Sequence, residues 1–194
     1  MNYLAHFHLA RRHDDWIAGA LLGDFVKGPL HLIESPLLRE GIQLHRRIDA
    51  FSDVHPLRAQ FASLLPNNFR RYAGILLDVC CDYWLTRYWA QFETQLLPDF
   101  AQRVYAVLER HPQQISEPAA LMAQRLDEFD VLTRYGDREV VAETLVRIGA
   151  RLRRDNPLRY VRGDIDIYLA ASESIFLALY PQLIAHVDAL GINN

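Results

Sequence analysis

Residues 73–85 read AGILLDVCCDYWL, and Asp78 and Asp82 carry the only formal charges among the thirteen. This belongs to the longest apolar segment of the chain, about 72–92, and predicts a helix that crosses the middle of a core. The helix brings its two carboxylates inside with it. At i and i+4 they share one helix face about a turn apart, where they repel unless a cation or a proton intervenes. Burying an unpaired carboxylate is costly enough that each must find a partner. One metal ion is the simplest partner for both; arginines reaching in from neighbouring helices are the alternative.

Helical periodicity dominates elsewhere too, and no run of β-branched residues alternates with polar ones over more than a few positions. The expected fold class is all-α. After a short apolar start at 1–10, helices are expected near 15–25, 35–52, 56–64, 98–110, 117–134, 137–153 and 163–190. Gly23, Gly28 and Pro29 end the first of these, and Ser35-Pro36 supplies an N-cap and N1 pair for the second. His55-Pro56, His111-Pro112, Gly136-Asp137 and Asn156-Pro157 mark breaks, and Pro181 kinks or divides the last helix. With no linker, low-complexity tract or repeat, residues 1–194 read as a single compact domain of about seven to nine helices.

Composition narrows the functional classes. A hydrophobic share of 51% with 23% charged residues is that of a packed globule, not of a disordered or collagen-like chain. The net charge of −3 offers no overall basic field for nucleic acid. No apolar stretch reaching the roughly 18 residues of a membrane span, and no basic leader, is apparent, so no membrane partner is expected. Cys80 and Cys81 are adjacent and would pair only with strain, which suits a reducing cytoplasm. Twenty of the 21 basic residues are Arg, a side chain whose fork suits carboxylates and phosphates but which a GC-rich genome also produces. Residues 1–97 carry ten basic and ten acidic groups, whereas 98–194 carry eleven and fourteen. Six of the eight histidines precede residue 56, so chemistry is expected toward the N-terminus.

Within that half, residues 41–53 read GIQLHRRIDAFSD and place His45, Asp49 and Asp53 at i, i+4 and i+8 along one stripe. Such a stripe can set an imidazole and a carboxylate on one metal, or let the carboxylate orient the imidazole. Arg46 and Arg47 beside it are either phosphate clamps or solvated surface charges. Asp24, in LLGDFVKG at 21–28, is an acid among apolar residues with glycines on both sides, aimed at a site or capping the next turn. His6 and His8 share a face on a strand and diverge on a helix; either is a ligand or a satisfied core residue. No G-x-S-x-G elbow and no glycine-rich phosphate loop is present. Mixed Asp and His donors on helices suit Mn²⁺, Mg²⁺ or Fe²⁺ better than an all-Cys zinc site.

Four ordered blocks carry a family resemblance: MNYLAHFHLA at 1–10, GDFV at 23–26, GIQLHRRID at 41–49 and LDVCCDYWL at 77–85. Together they resemble the bacterial acyl carrier protein phosphodiesterases, which are similar to the all-helical HD-type metal-dependent phosphohydrolases. The resemblance implies hydrolysis of the phosphodiester between 4′-phosphopantetheine and a serine of holo-acyl carrier protein, with Mn²⁺ as the expected metal. On this reading Asp24, Asp78 and Asp82, with His45 or an N-terminal histidine (His6 or His8), hold the ion, whose bound water attacks phosphorus. Arg46 or Arg47 neutralises the non-bridging oxygens, and Asp49 or Asp53 takes the water proton or orients His45. The family's last block commonly reads Asp-His-Phe-Leu, where this chain has Asp82-Tyr83-Trp84-Leu85. The implied partner is an acidic helical bundle, so an arginine rim is expected, with Arg46, Arg70, Arg71 and Arg87 as candidates. The rival expectations are an HD-like phosphohydrolase acting on a nucleotide or other small phosphodiester, and a non-catalytic helical binding protein on the same scaffold.

Overall fold

The computed structural model describes residues 1–111 and 117–190, and every regular element among them is helical, as expected. Pro112, half of one expected break, lies outside the described residues, as do residues 191–194. In chain order the helices are α1 (Tyr3–Leu9), α2 (Asp14–Phe25), α3 (Pro36–Val54), α4 (Pro56–Leu64), α5 (Asn67–Arg70) and α6 (Ala73–Arg87). There follow α7 (Trp89–Phe92), α8 (Leu97–Arg110), α9 (Glu117–Glu128), α10 (Val131–Arg134) and α11 (Arg138–Arg151). A 3₁₀ segment, Pro157–Asp164, then leads into α12 (Ile165–Ala189). Nine of the α-helices have seven or more residues, and α5, α7 and α10 are single turns.

Local chemistry sets most of these boundaries. Ser35 Oγ accepts a hydrogen bond from Leu38 N at 3.3 Å with Pro36 at the first helical position, the expected start of α3. His55 ends α3 and begins α4, its Nδ1 accepting from Leu57 N at 3.2 Å. Two boundaries differ from expectation, and one of the two alternatives for Pro181 is not met. The long apolar segment breaks at Tyr88, whose hydroxyl is tied to Glu173 of α12, and the chain turns there into α7. The stretch at 117–134 is divided by Asp130, which adopts φ 44° and accepts a hydrogen bond from the Tyr105 hydroxyl at 3.0 Å. Pro181 does not divide α12. The carbonyl it leaves without a partner belongs to Leu177, on the exposed side of the helix where water can serve it.

One contiguous apolar core runs from Leu4 to Val187. α6 lies within it as expected, burying Leu76, Leu77, Val79, Cys80, Cys81 and Leu85. The stretch Pro157–Ala189 is long and apolar enough to cross a membrane by length and composition, which the sequence reading did not anticipate. Its Tyr168, Leu169, Phe176, Tyr180 and Leu183 are nonetheless buried in the core, the behaviour of a core helix.

The contact that matters most for the site is between α2 and α3. A Cβ on Gly19 would lie 2.6 Å from the Gly41 Cα, and one on Gly41 would lie 2.7 Å from the Trp16 Cα. The two backbones therefore touch where any side chain would hold them apart. One turn further along each helix, Gly23 faces His45 in the same way, with a virtual Cβ 2.2 Å from the imidazole Cγ. His45 is seated in the space that Gly23 leaves.

Candidate metal centre

Asp49 on α3 is the hub of the site. Its Oδ1 lies 3.1 Å from His6 Nε2, and its Oδ2 lies 3.1 Å from His45 Nε2, one turn earlier on the same helix. The two imidazoles are buried and stacked, with ring centroids 4.0 Å apart and planes inclined by 14°. Ligand atoms of His6, His45 and Asp49 all fall within 4.8 Å of one another, a group able to hold a metal ion. Asp24, at the end of α2, stands 3.7 Å from His45 Nε2 and is 49% exposed, so it borders the mouth of the cluster. The Met1 ammonium is buried on the other side, 3.3 Å from both Asp49 and Asp78.

Electrostatics prepares this group for a cation. Burial works to raise the Asp49 carboxyl, but hydrogen bonds from His45 and His6, with the charge of the Met1 ammonium, hold it well below the usual carboxylate range. Burial and the neighbouring His45 push His6 down to about 3 against the pull of Asp49, leaving a neutral ring at pH 7. Burial also opposes the Met1 ammonium, yet Asp78 and Asp49 raise it to about 10. The ionised Asp49 can only accept, so both Nε2 atoms donate to it, while the Nδ1 atoms of His6 and His45 are buried without a hydrogen-bond partner. With the proton moved to Nδ1, each Nε2 would offer a lone pair. Two imidazoles and an ionised carboxylate, with a second carboxylate alongside, are a donor set that fits a divalent ion of moderate hardness.

The other expected site residues are distributed around this group rather than in it. Asp82 is fully buried and receives Leu4 N on Oδ2 and Ala5 N on Oδ1, both at 2.9 Å. It thus serves as the N-cap of α1, whose own Asn2 makes no side-chain cap. Asp78, one turn earlier on α6, holds the Met1 ammonium and Arg58 NH1, the latter at 3.3 Å. Of the two alternatives for the aspartate pair, the arginine appears in part, at Asp78, while Asp82 is taken by backbone donors that neither alternative named. His8 points away from His6, because two residues on a helix differ by about 200°. Its Nδ1 lies 2.7 Å from the Tyr180 hydroxyl and its Nε2 3.6 Å from Glu93.

Asp53 pairs with Arg58 at 3.1 Å. Arg46 spends its guanidinium on the carbonyls of Val26 and Gly28, at 2.8 and 3.0 Å, and so pins the chain that follows Asp24. Arg47 is exposed. Tyr83, where the family block commonly has His, packs edge-on against Trp84.

Sequence reading did not single out Arg58 or the Met1 ammonium. Arg58 lies in the first turn of α4 and shows no motif; its meaning comes from Asp53 and Asp78, which meet only in the fold. Gly23 carried a readable signal, since glycine beside an acid permits close approach, but the identity of the approaching group was not visible.

The comparisons with known proteins agree with one another. A family model described as acyl carrier protein phosphodiesterase matches residues 1–183. The acyl carrier protein phosphodiesterase of Photorhabdus laumondii is 33% identical over 193 residues, covering 97% of this chain and 96% of the relative. Its namesake in Escherichia coli O157:H7 is also 33% identical over 193 residues, covering 97% and 98%, and that of Salmonella dublin is 34% identical over 191 residues, covering 95% and 96%. No solved structure matches the chain, and the expected likeness to HD-type phosphohydrolases finds no support among solved structures. Whole-length agreement with both the family model and these relatives places the helical cluster of His6, His45 and Asp49 in a named context: the chain belongs to the acyl carrier protein phosphodiesterase family.

Proposed function

We propose that residues 1–194 act as one cytoplasmic hydrolase domain that cleaves the phosphodiester linking 4′-phosphopantetheine to a serine of holo-acyl carrier protein. The products are apo-acyl carrier protein and 4′-phosphopantetheine. The observation that carries this reading is the convergence of His6, His45 and Asp49, drawn from two of the four family blocks, on a single point beside Asp24 of a third. His6 and His45 would hold a divalent ion, Mn²⁺ in preference to Mg²⁺ or Fe²⁺, with Asp49. When bound, such an ion polarises a phosphoryl oxygen and makes water more acidic.

The protein's own groups do the rest. Asp49, held ionised, is a poor proton acceptor and keeps both imidazoles oriented. Asp24 is better suited to take the water proton: desolvation raises its carboxyl above the ordinary value, and it stands at the open side of the cluster. Asp78, the Met1 ammonium and Arg58 brace Asp49 from behind, and Asp82 fixes α1 so that His6 reaches its place. Arg46 is engaged with backbone carbonyls, and Arg47, two residues before Asp49, leaves α3 on the opposite, exposed side, so neither guanidinium is aimed at the non-bridging oxygens in this arrangement.

The test is the intact mass of holo-acyl carrier protein before and after incubation with this protein, with Mn²⁺ and with a chelator. Loss of the phosphopantetheine mass with the metal only is the expected result. An unchanged mass in the presence of Mn²⁺ refutes the reaction.

A further inference from the structure

Two helices from the second half of the chain wall a groove that ends beside the metal centre. α9 contributes Met122, Arg125 and Leu126, with Phe129 in the turn just after it; α11 contributes Thr144, Arg147, Ile148 and Arg151. The spacing i, i+3, i+4 on α9, and i, i+3, i+4, i+7 on α11, makes each set one face of its helix. The cavity between them measures about 410 Å³ and is also lined by Asn2 and Tyr3. Asn2 is tethered there, donating to the Tyr135 hydroxyl at 3.0 Å, and it adjoins Met1, whose ammonium touches Asp49. Tyr3, one turn before His6 on α1, feels the charges of both Asp24 and Arg151, so the groove reaches the Asp24 side of the proposed reaction centre.

Its chemistry is unlike the rest of the chain. Three guanidinium groups line it and no carboxylate does, in a protein whose net charge is −3. Among the described residues none of the three arginines is ion-paired; Arg147 makes only a 3.3 Å hydrogen bond to Thr144. Arg147 and Arg151 are one turn apart on α11, a like-charge spacing that weakens a helix slightly. Between the arginines the walls are apolar, and Phe129 is 54% exposed. By contrast, Arg46 and Arg70, two of the arginines expected to form a docking rim, turn their guanidinium groups onto backbone carbonyls.

We propose that the α9–α11 groove docks an acidic helix of the carrier protein, holding its modified serine at the mouth of the metal centre. This rests on the reaction proposed above. The phosphopantetheine arm is a weaker fit: apart from its phosphodiester, which belongs at the centre, it is neutral and gives three unpaired arginines nothing to answer. Carboxylates one turn apart on a facing helix match Arg147 and Arg151, Arg125 engages them from the opposite wall, and Phe129 packs against the apolar side of that helix.

The experiment uses the full chain with Arg125, Arg147 and Arg151 all changed to Glu, none of which belongs to the metal centre. With holo-acyl carrier protein, KM should rise about a hundredfold with kcat held, and the salt dependence of KM should flatten. A short neutral peptide carrying phosphopantetheinyl-serine should be cleaved as well by the variant as by the parent. Unchanged KM for the carrier protein overturns the docking site, and so does an equal loss on the peptide, which would make the groove a seat for the arm. Binding of apo-acyl carrier protein, measured by calorimetry, separates the two proposals. If the parent cleaves nothing but binds the apo protein, and the variant does not, the reaction falls and the docking face stands; if both bind alike, the docking face falls. Should the triple Glu variant fail to fold, the triple Gln variant is read in the same way, with about a tenfold rise in KM expected.

Discussion

Gly23→Ala adds a single methyl group, and its consequences can be worked from the structure. The new Cβ would stand 2.2 Å from His45 Cγ, 2.4 Å from Cδ2 and 2.7 Å from the His45 Cβ, whereas ordinary contact begins at 3.4 Å. The short approach to the His45 Cβ, next to the backbone, means that a simple ring rotation cannot relieve it. Either the imidazole is driven from its place or α2 and α3 separate, and Gly19 and Gly41 already hold those helices in backbone contact. A displacement of about 1 Å at a ligating ring is enough to lose about a hundredfold in rate. The stability balance is milder: alanine gains about 1 kcal/mol over glycine within a helix, and overpacking costs about 1–3 kcal/mol. The variant should therefore fold, with unfolding free energy lower by at most about 2 kcal/mol. It should bind Mn²⁺ about 10–100-fold more weakly by calorimetry and cleave holo-acyl carrier protein correspondingly slowly. Gly163→Ala, where an added Cβ meets nothing within 4 Å, is the control and should match the parent in both assays. A Gly23→Ala protein with parental metal affinity and turnover would refute the idea that Gly23 seats His45.

Two buried groups should make their presence known through pH. Asp82→Asn replaces one of two carboxylate acceptors by an NH₂ that faces a backbone N–H of α1, costing about 2–3 kcal/mol in urea unfolding at pH 5. Burial raises the Asp82 carboxyl from 3.8 to about 7, so the folded chain binds the extra proton between those values. The stability from that proton is complete below pH 3.8 and is lost as pH rises through 7, so the gap between parent and variant should be smaller at pH 8 than at pH 5. An equal gap at both pH values would count against it. His8 behaves in the opposite sense: burial, with the charge of Arg11, lowers it from 6.5 to about 3, so its contribution is present above pH 6.5 and is lost on acidification toward 3. His8→Gln should remove about 1.4 kcal/mol per pH unit from the acid limb of the stability profile, and an unaltered slope would show that His8 does not titrate as a neutral core residue.

Much of the architecture could be read from period and punctuation. Ser35-Pro36 and His55-Pro56 state their helix boundaries locally, because a cap and a missing N–H are properties of neighbouring residues. Tyr88 and Asp130 could not be read in that way, since the groups that bend the chain there, Glu173 and Tyr105, lie 85 and 25 residues away. The centre divides along the same line. The i, i+4 spacing of His45 and Asp49 was visible as a possible shared ligand set, and the structure joins His6 to it across 43 residues. For Asp78 and Asp82 the spacing revealed that each needed a partner but not which one. A backbone amide on α1 leaves no trace in composition, so the N-capping role of Asp82 was hidden, whereas the arginine alternative was foreseen in kind and Arg58 was not foreseen by position.

The cap that Asp82 provides also orders events in time. α1 has seven residues, fewer than the roughly 12–15 an isolated helix needs to persist in water, and its first-turn amides are satisfied by a side chain about 78 positions later. During synthesis His6 and His8 emerge well before α6 exists to receive them. A helix that leaves the ribosome well before α6 thus settles only after it, and the hydrolase cannot acquire half of its imidazole pair until the middle of the chain has been made and folded.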